Sequence, residues 1–78
     1  MNYEAQHLSP LTLGETNLIQ IHLIQKSGQD PASWIEENSA EVRNILDQKP
    51  ELAALYRRNP QQVEDYLVIE LDQRRSVH

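Results

Sequence analysis

The chain has no cysteine and no phenylalanine, only two glycines, one tryptophan and seven Lys or Arg among 78 residues. Without thiols, neither disulfides nor thiolate zinc can supplement the core, and redox chemistry does not point to a compartment. Without phenylalanine the core must be aliphatic, drawn from Leu, Ile and Val, with Tyr3, Tyr56 and Tyr66 adding rings that need a polar outlet. Two glycines, Gly14 and Gly28, cannot form a phosphate cradle or a nucleophile elbow. No run approaches the roughly 20 apolar residues of a membrane span. The start, Met1-Asn2-Tyr3-Glu4, also lacks the basic region of a secretory signal, so a cytoplasmic protein is expected. The formal net charge of −5 disfavours non-specific attachment to nucleic acid or anionic lipid, which depends on counterion release by cations. At this length folding buries only roughly 60% of the extended chain's surface, which leaves no room for a large ligand cavity.

What is present is punctuation. Four prolines follow polar residues at Ser9-Pro10, Asp30-Pro31, Lys49-Pro50 and Asn59-Pro60. A capping side chain accepts a bond from an unpaired first-turn N–H, and a proline just behind it needs no donor and already has helical φ. Thr12-Leu13-Gly14-Glu15 has the form of a capping box, and Gly28 is the matching stop, which predicts a first helix between them. Leu18, Ile19, Ile21, Leu23 and Ile24 fall all round its wheel, as in a buried central helix. The alternation Ile19-Gln20-Ile21-His22-Leu23 offers a strand as the competing reading, and the agreement of the two caps favours helix. Asp30 and Pro31 open a short helix that ends near Asn38. Ser39 then caps a third helix bearing Val42, Ile45 and Leu46. Leu52, Leu55 and Tyr56 mark a fourth over 51–58, and Asn59-Pro60-Gln61-Gln62 opens a last helix running to about Gln73. The run Tyr66-Leu67-Val68-Ile69 has high β propensity, but its continuity with the turn at Pro60 again favours helix.

The expected fold is therefore all-α: one small domain of about five helices over 11–75, with a long first and last helix and three short ones between. A mobile arm over 1–10 and a tail over 76–78 flank it. The expected core is Leu18, Ile21, Ile24, Ile35, Val42, Ile45, Leu46, Leu52, Leu55, Val63 and Leu67.

No catalytic set stands out. His7, His22 and His78 are far apart, Ser33 has no nearby histidine, and Glu36, Glu37 and Glu41 lack the spacing of a calcium loop. No enzyme activity, metal, cofactor or small-molecule substrate is expected. The apolar arc of the last helix, Val63, Tyr66, Leu67 and Leu71, leaves Val68 and Ile69 outside it. With Leu23 and Trp34 they form a surplus that suits anchors of a contact, and Glu36 and Glu37 suit its acidic rim. These six residues are the predicted partner-binding site of a non-enzymatic module: a small inhibitor, adaptor or regulatory subunit. Its partner is another protein or a second copy of the chain, with neither nucleic acid nor membrane expected.

Two alternatives accompany that reading. Arg57 and Arg58 close a short helix that follows a tight proline turn, as a DNA-binding helix-turn-helix regulator would require. The same arginines also suit the carbonyl end of a helix dipole. The run Ser33-Trp34-Ile35-Glu36-Glu37-Asn38 resembles the S/T-x-x-x-E-G/N inhibitory motif of the small antitoxins that silence Fic-domain AMP-transferases. By that resemblance, which covers six residues, Glu37 would enter a nucleotide site, pair with a catalytic arginine and block placement of the ATP γ-phosphate.

Overall fold

The computed structural model describes residues 10–76, and the predicted arm and tail lie almost wholly outside them, with His7 and His78. Within that span the chain forms four helices: α1 Leu13–Ser27, α2 Pro31–Gln48, α3 Glu51–Arg58 and α4 Pro60–Ser76. No strand occurs among the described residues, so both segments with β propensity are helical.

Local chemistry sets most of the helix ends where the sequence puts them. The Thr12 hydroxyl accepts from the Glu15 amide at 3.1 Å, and the Glu15 carboxylate accepts from the Thr12 amide at 2.8 Å, a complete capping box. Gly28 ends α1 in the left-handed conformation at φ 72°, and its amide donates to the Ile24 carbonyl. Asp30 Oδ2 accepts from the Ser33 amide at 3.2 Å and Pro31 begins α2. Asn59 Oδ1 accepts from the Gln62 amide at 3.4 Å, although α4 continues to Ser76, beyond the expected Gln73. Helix α3 has no side-chain cap. Its entry is held by backbone bonds from Leu52 to the Lys49 carbonyl and from Ala53 to the Pro50 carbonyl.

The count of five helices is corrected to four, because the second and third are one. Neither Asn38 nor Ser39 interrupts α2. The buried Asn38 amide donates to the Trp34 carbonyl one turn back at 3.2 Å, and the Ser39 hydroxyl donates across to Gln20 Oε1 on α1 at 2.9 Å. Both polar groups are thus satisfied with helical backbone, and neither glycine nor proline intervenes. Trp34, Asn38, Val42 and Ile45 make a single buried stripe at helical spacing along the whole of α2.

Helix α4 packs substantially against each of the other three, most of all α3. The core joins Ile19 and Leu23 of α1, Trp34, Val42 and Ile45 of α2, Leu52 and Tyr56 of α3, and Val63, Leu67 and Leu71 of α4. Ile24, Leu46 and Leu55 pack against its edge. Leu18, Ile21 and Ile35, expected inside, are instead 44%, 49% and 49% exposed. A domain this small cannot surround a helix on every side, so α1 buries one face, Ile19, Gln20 and Leu23, and turns Leu18 and Ile21 outward.

Candidate functional site

The packing leaves an open trough of about 620 Å³ where the end of α1 and the start of α2 meet α4. Leu23, Trp34 and Leu71 supply apolar lining, Val68 and Ile69 stand along it on α4, and Lys26, Gln29, Asp72 and Arg75 supply polar margins. Leu23 and Trp34 are 2% and 3% exposed, so they are core side chains that reach the trough, not surplus ones. Val68 and Ile69 are 43% and 56% exposed. Four of the six predicted partner-binding residues therefore come together at one place from three helices.

The two glutamates divide. Glu37 accepts from the Gln29 amide at 3.4 Å, and with Glu41, Arg74 and Arg75 it lines a second hollow that shares Leu71 and Arg75 with the trough. Glu36 is exposed on α2 and lines neither. Of the motif Ser33 to Asn38, Glu37 is thus an exposed carboxylate on the second turn of α2, while Asn38 is buried within the helix and does not end it.

In comparisons with known proteins, no family model matches this chain, and no curated protein or solved structure is a match either.

The charged side chains around the trough mostly serve the fold. On the α2 side Arg74 pairs with Glu41 and lies 3.7 Å from Glu70, and Arg75 donates to Asn38 Oδ1 at 3.3 Å. On the α1 side Lys26 lies 3.2 Å from Asp65 and 3.9 Å from Glu64, and His22 Nδ1 meets Glu64 Oε2 at 2.6 Å. Sequence reasoning missed this second cluster. Its one signal is that His22 and Lys26 share a helix face at i, i+4. Among the described residues no group of three or more potential metal ligands converges.

The arginine pair of α3 is split. Arg57 donates through Nε and Nη2 to both oxygens of Glu15, at 3.2 and 3.0 Å, and to the Pro10 carbonyl at 3.1 Å, tying α3 to the start of α1. Arg58 is exposed on the same turn. The Arg57 hydrogen bond first, then that of the Thr12 amide, holds the Glu15 carboxyl below the usual carboxylate range. Burial, with the nearby charges of Glu64 and Glu15, pushes the Tyr56 phenol up.

A pH dependence follows. With its folded pKa depressed, Glu15 contributes stability above its unfolded pKa, and that contribution is lost as pH falls through the folded value. The urea midpoint is expected to drop as pH falls below roughly 4, and Glu15→Gln should flatten part of that drop while lowering the midpoint at neutral pH. A variant whose acid limb retains its full slope would show that the carboxylate is not coupled to folding. Since the pair is partly open to water, the effect is modest beside a core substitution.

Proposed function

We propose that this chain is a non-enzymatic protein-binding module whose trough between α1, α2 and α4 takes an apolar ridge of another protein. The observation that carries the reading is the placement of Val68 and Ile69, two large exposed aliphatic side chains, beside a trough whose lining includes Trp34. Contacts of high affinity centre on aromatic and aliphatic anchors in apolar depressions with polar margins. On a chain this small, a contact of standard size, about 800 Å² per partner, covers a large share of the surface, so binding adds to stability. An inhibitor, adaptor or small regulatory subunit works in this way.

The test has two steps. A photoreactive amino acid in place of Ile69 identifies what occupies the trough, with exposed Gln61, at the far end of α4, as the control position. Val68→Asp with Ile69→Asp is then expected to lower affinity for that occupant at least about tenfold, ~1.4 kcal/mol, by sedimentation, with unchanged far-ultraviolet circular dichroism. An adduct with a second copy makes the module a homodimer. Undiminished affinity, or loss of helicity in the variant, overturns the reading, the latter because it would make Val68 and Ile69 core residues.

A further inference from the structure

The trough does not end at its apolar lining, and its charge identifies the chemistry of its occupant. Through Leu71 and Arg75 it runs on into the hollow whose far side is formed by Glu37 and Glu41. One continuous surface is thus largely apolar between Lys26 and Asp72 and carries both glutamates and arginines at the α2 end.

Two of the three cations along it already face carboxylates. Lys26 faces Asp65 and Glu64, Arg74 faces Glu41 and Glu70, and Arg75 donates to Asn38. Glu37 has no ion pair among the described residues, its one hydrogen bond coming from the neutral Gln29 amide. An anionic occupant would have to compete with these internal carboxylates for Lys26 and Arg74. The lining itself carries three carboxylates and three cations. Behind it Glu64, Asp65 and Glu70 tip the surroundings toward negative charge in a chain of net charge −5, which favours a cationic occupant. The secondary structure narrows the occupant further. Among the described residues there is no strand, so no sheet edge is offered for strand addition, and a trough between helices takes the apolar stripe of another helix.

We infer that the trough binds a basic amphipathic helix of a partner protein, its apolar stripe against Trp34, Val68 and Ile69 and a Lys or Arg beyond that stripe meeting Glu37. This rests on the protein-binding reading above and adds the partner's charge and secondary structure. The two parts can fail separately.

The probes are two helical peptides of about 14 residues, one of Leu and Lys with the leucines on a single face, the other with Glu at every Lys position. The full chain is titrated with each, followed by the fluorescence of Trp34, its single tryptophan, and by calorimetry. The Leu/Lys peptide is expected to bind at least about tenfold more tightly than the Leu/Glu peptide, and rising salt should narrow the difference. Glu37→Lys should cut the preference at least threefold, with Glu37→Gln between it and the native chain. Equal binding of the two peptides, or tighter binding of the Leu/Glu peptide, overturns the basic partner and leaves the trough as a binding site. Binding of the Leu/Lys peptide that is undiminished by Val68→Ser with Ile69→Ser places the contact elsewhere and overturns the trough itself. No binding of either peptide overturns the helical occupant.

Discussion

Trp34→Ala is expected to lower the urea midpoint by at least about a quarter, up to the loss of any cooperative transition. The indole is 3% exposed and packs in the core shared by all four helices. Truncating a buried tryptophan costs about 3–5 kcal/mol through lost transfer energy and the cavity left behind. At 0.05–0.15 kcal/mol per residue, a chain of 78 residues has only about 4–12 kcal/mol in total. The substitution therefore removes between about a quarter and all of the stability. Circular dichroism is the right readout, since the variant has no tryptophan. Trp34→Phe should recover more than half of the loss, because most of the apolar volume returns. A Trp34→Ala chain within about 1 kcal/mol of native would show that the ring is not held by the core and that the trough floor is a loose flap. The same dual position explains why a binding defect in Trp34→Ala alone identifies nothing: fold and trough fail together. Val68 and Ile69 separate the two, because their exposed side chains can be changed with the core intact.

The position of Trp34 also shows where sequence reading reaches its limit. The ends of α1 and the starts of α2 and α4 are legible because Thr12, Gly28, Asp30 and Asn59 act on backbone groups within four residues of themselves. The continuity of α2 is less so. Asn38 and Ser39 have the form of a stop followed by a new cap, and what keeps them helical includes Gln20, a partner 19 residues away. Buried faces are legible where polar residues give the pattern a phase, as in α4, where Val63, Leu67 and Leu71 are inside and Val68 and Ile69 outside. Helix α1, apolar all round, gives no phase, and the choice of Ile19 over Leu18 and Ile21 is made by the helices packed against it, α2 and α4, which the periodicity of α1 cannot report. The same reason separates the site residues. Val68 and Ile69 stand out from the pattern of their own helix, whereas the approach of Leu23 and Trp34 to them, and the attachment of Glu37 but not Glu36, depend on how three helices meet. Arg57 resembles a ligand-facing cation in the sequence because its partner, Glu15, is 42 residues away.

His22→Leu is expected to be the more damaging half of the His22 and Glu64 pair, although His22 is the more exposed residue. The Glu64 side chain is only 7% exposed, against 40% for His22, and its close partner is the imidazole at 2.6 Å, with Lys26 farther off at 3.9 Å. Removing the ring leaves a buried carboxyl oxygen without its partner, at a cost of about 1–3 kcal/mol. Glu64→Met leaves only a half-exposed histidine, which water can satisfy, so it should cost less. Combining the two exchanges a buried polar pair for apolar packing, which is often neutral or stabilising. The double variant should thus be more stable than His22→Leu alone, a non-additivity read from urea midpoints of the four chains at one pH. A harmless His22→Leu beside a costly Glu64→Met would instead assign the carboxylate to Lys26. The pair also bears on binding. Glu64 lies one turn before Val68 on α4, and His22 one turn before Lys26 on α1, so the contact joins the two helices beside the trough that Val68 and Lys26 line. Loosening it should shift α1 relative to α4 and weaken the Leu/Lys peptide in His22→Leu even where the chain stays folded. The double variant, with the helices packed again, should recover part of that affinity along with its stability.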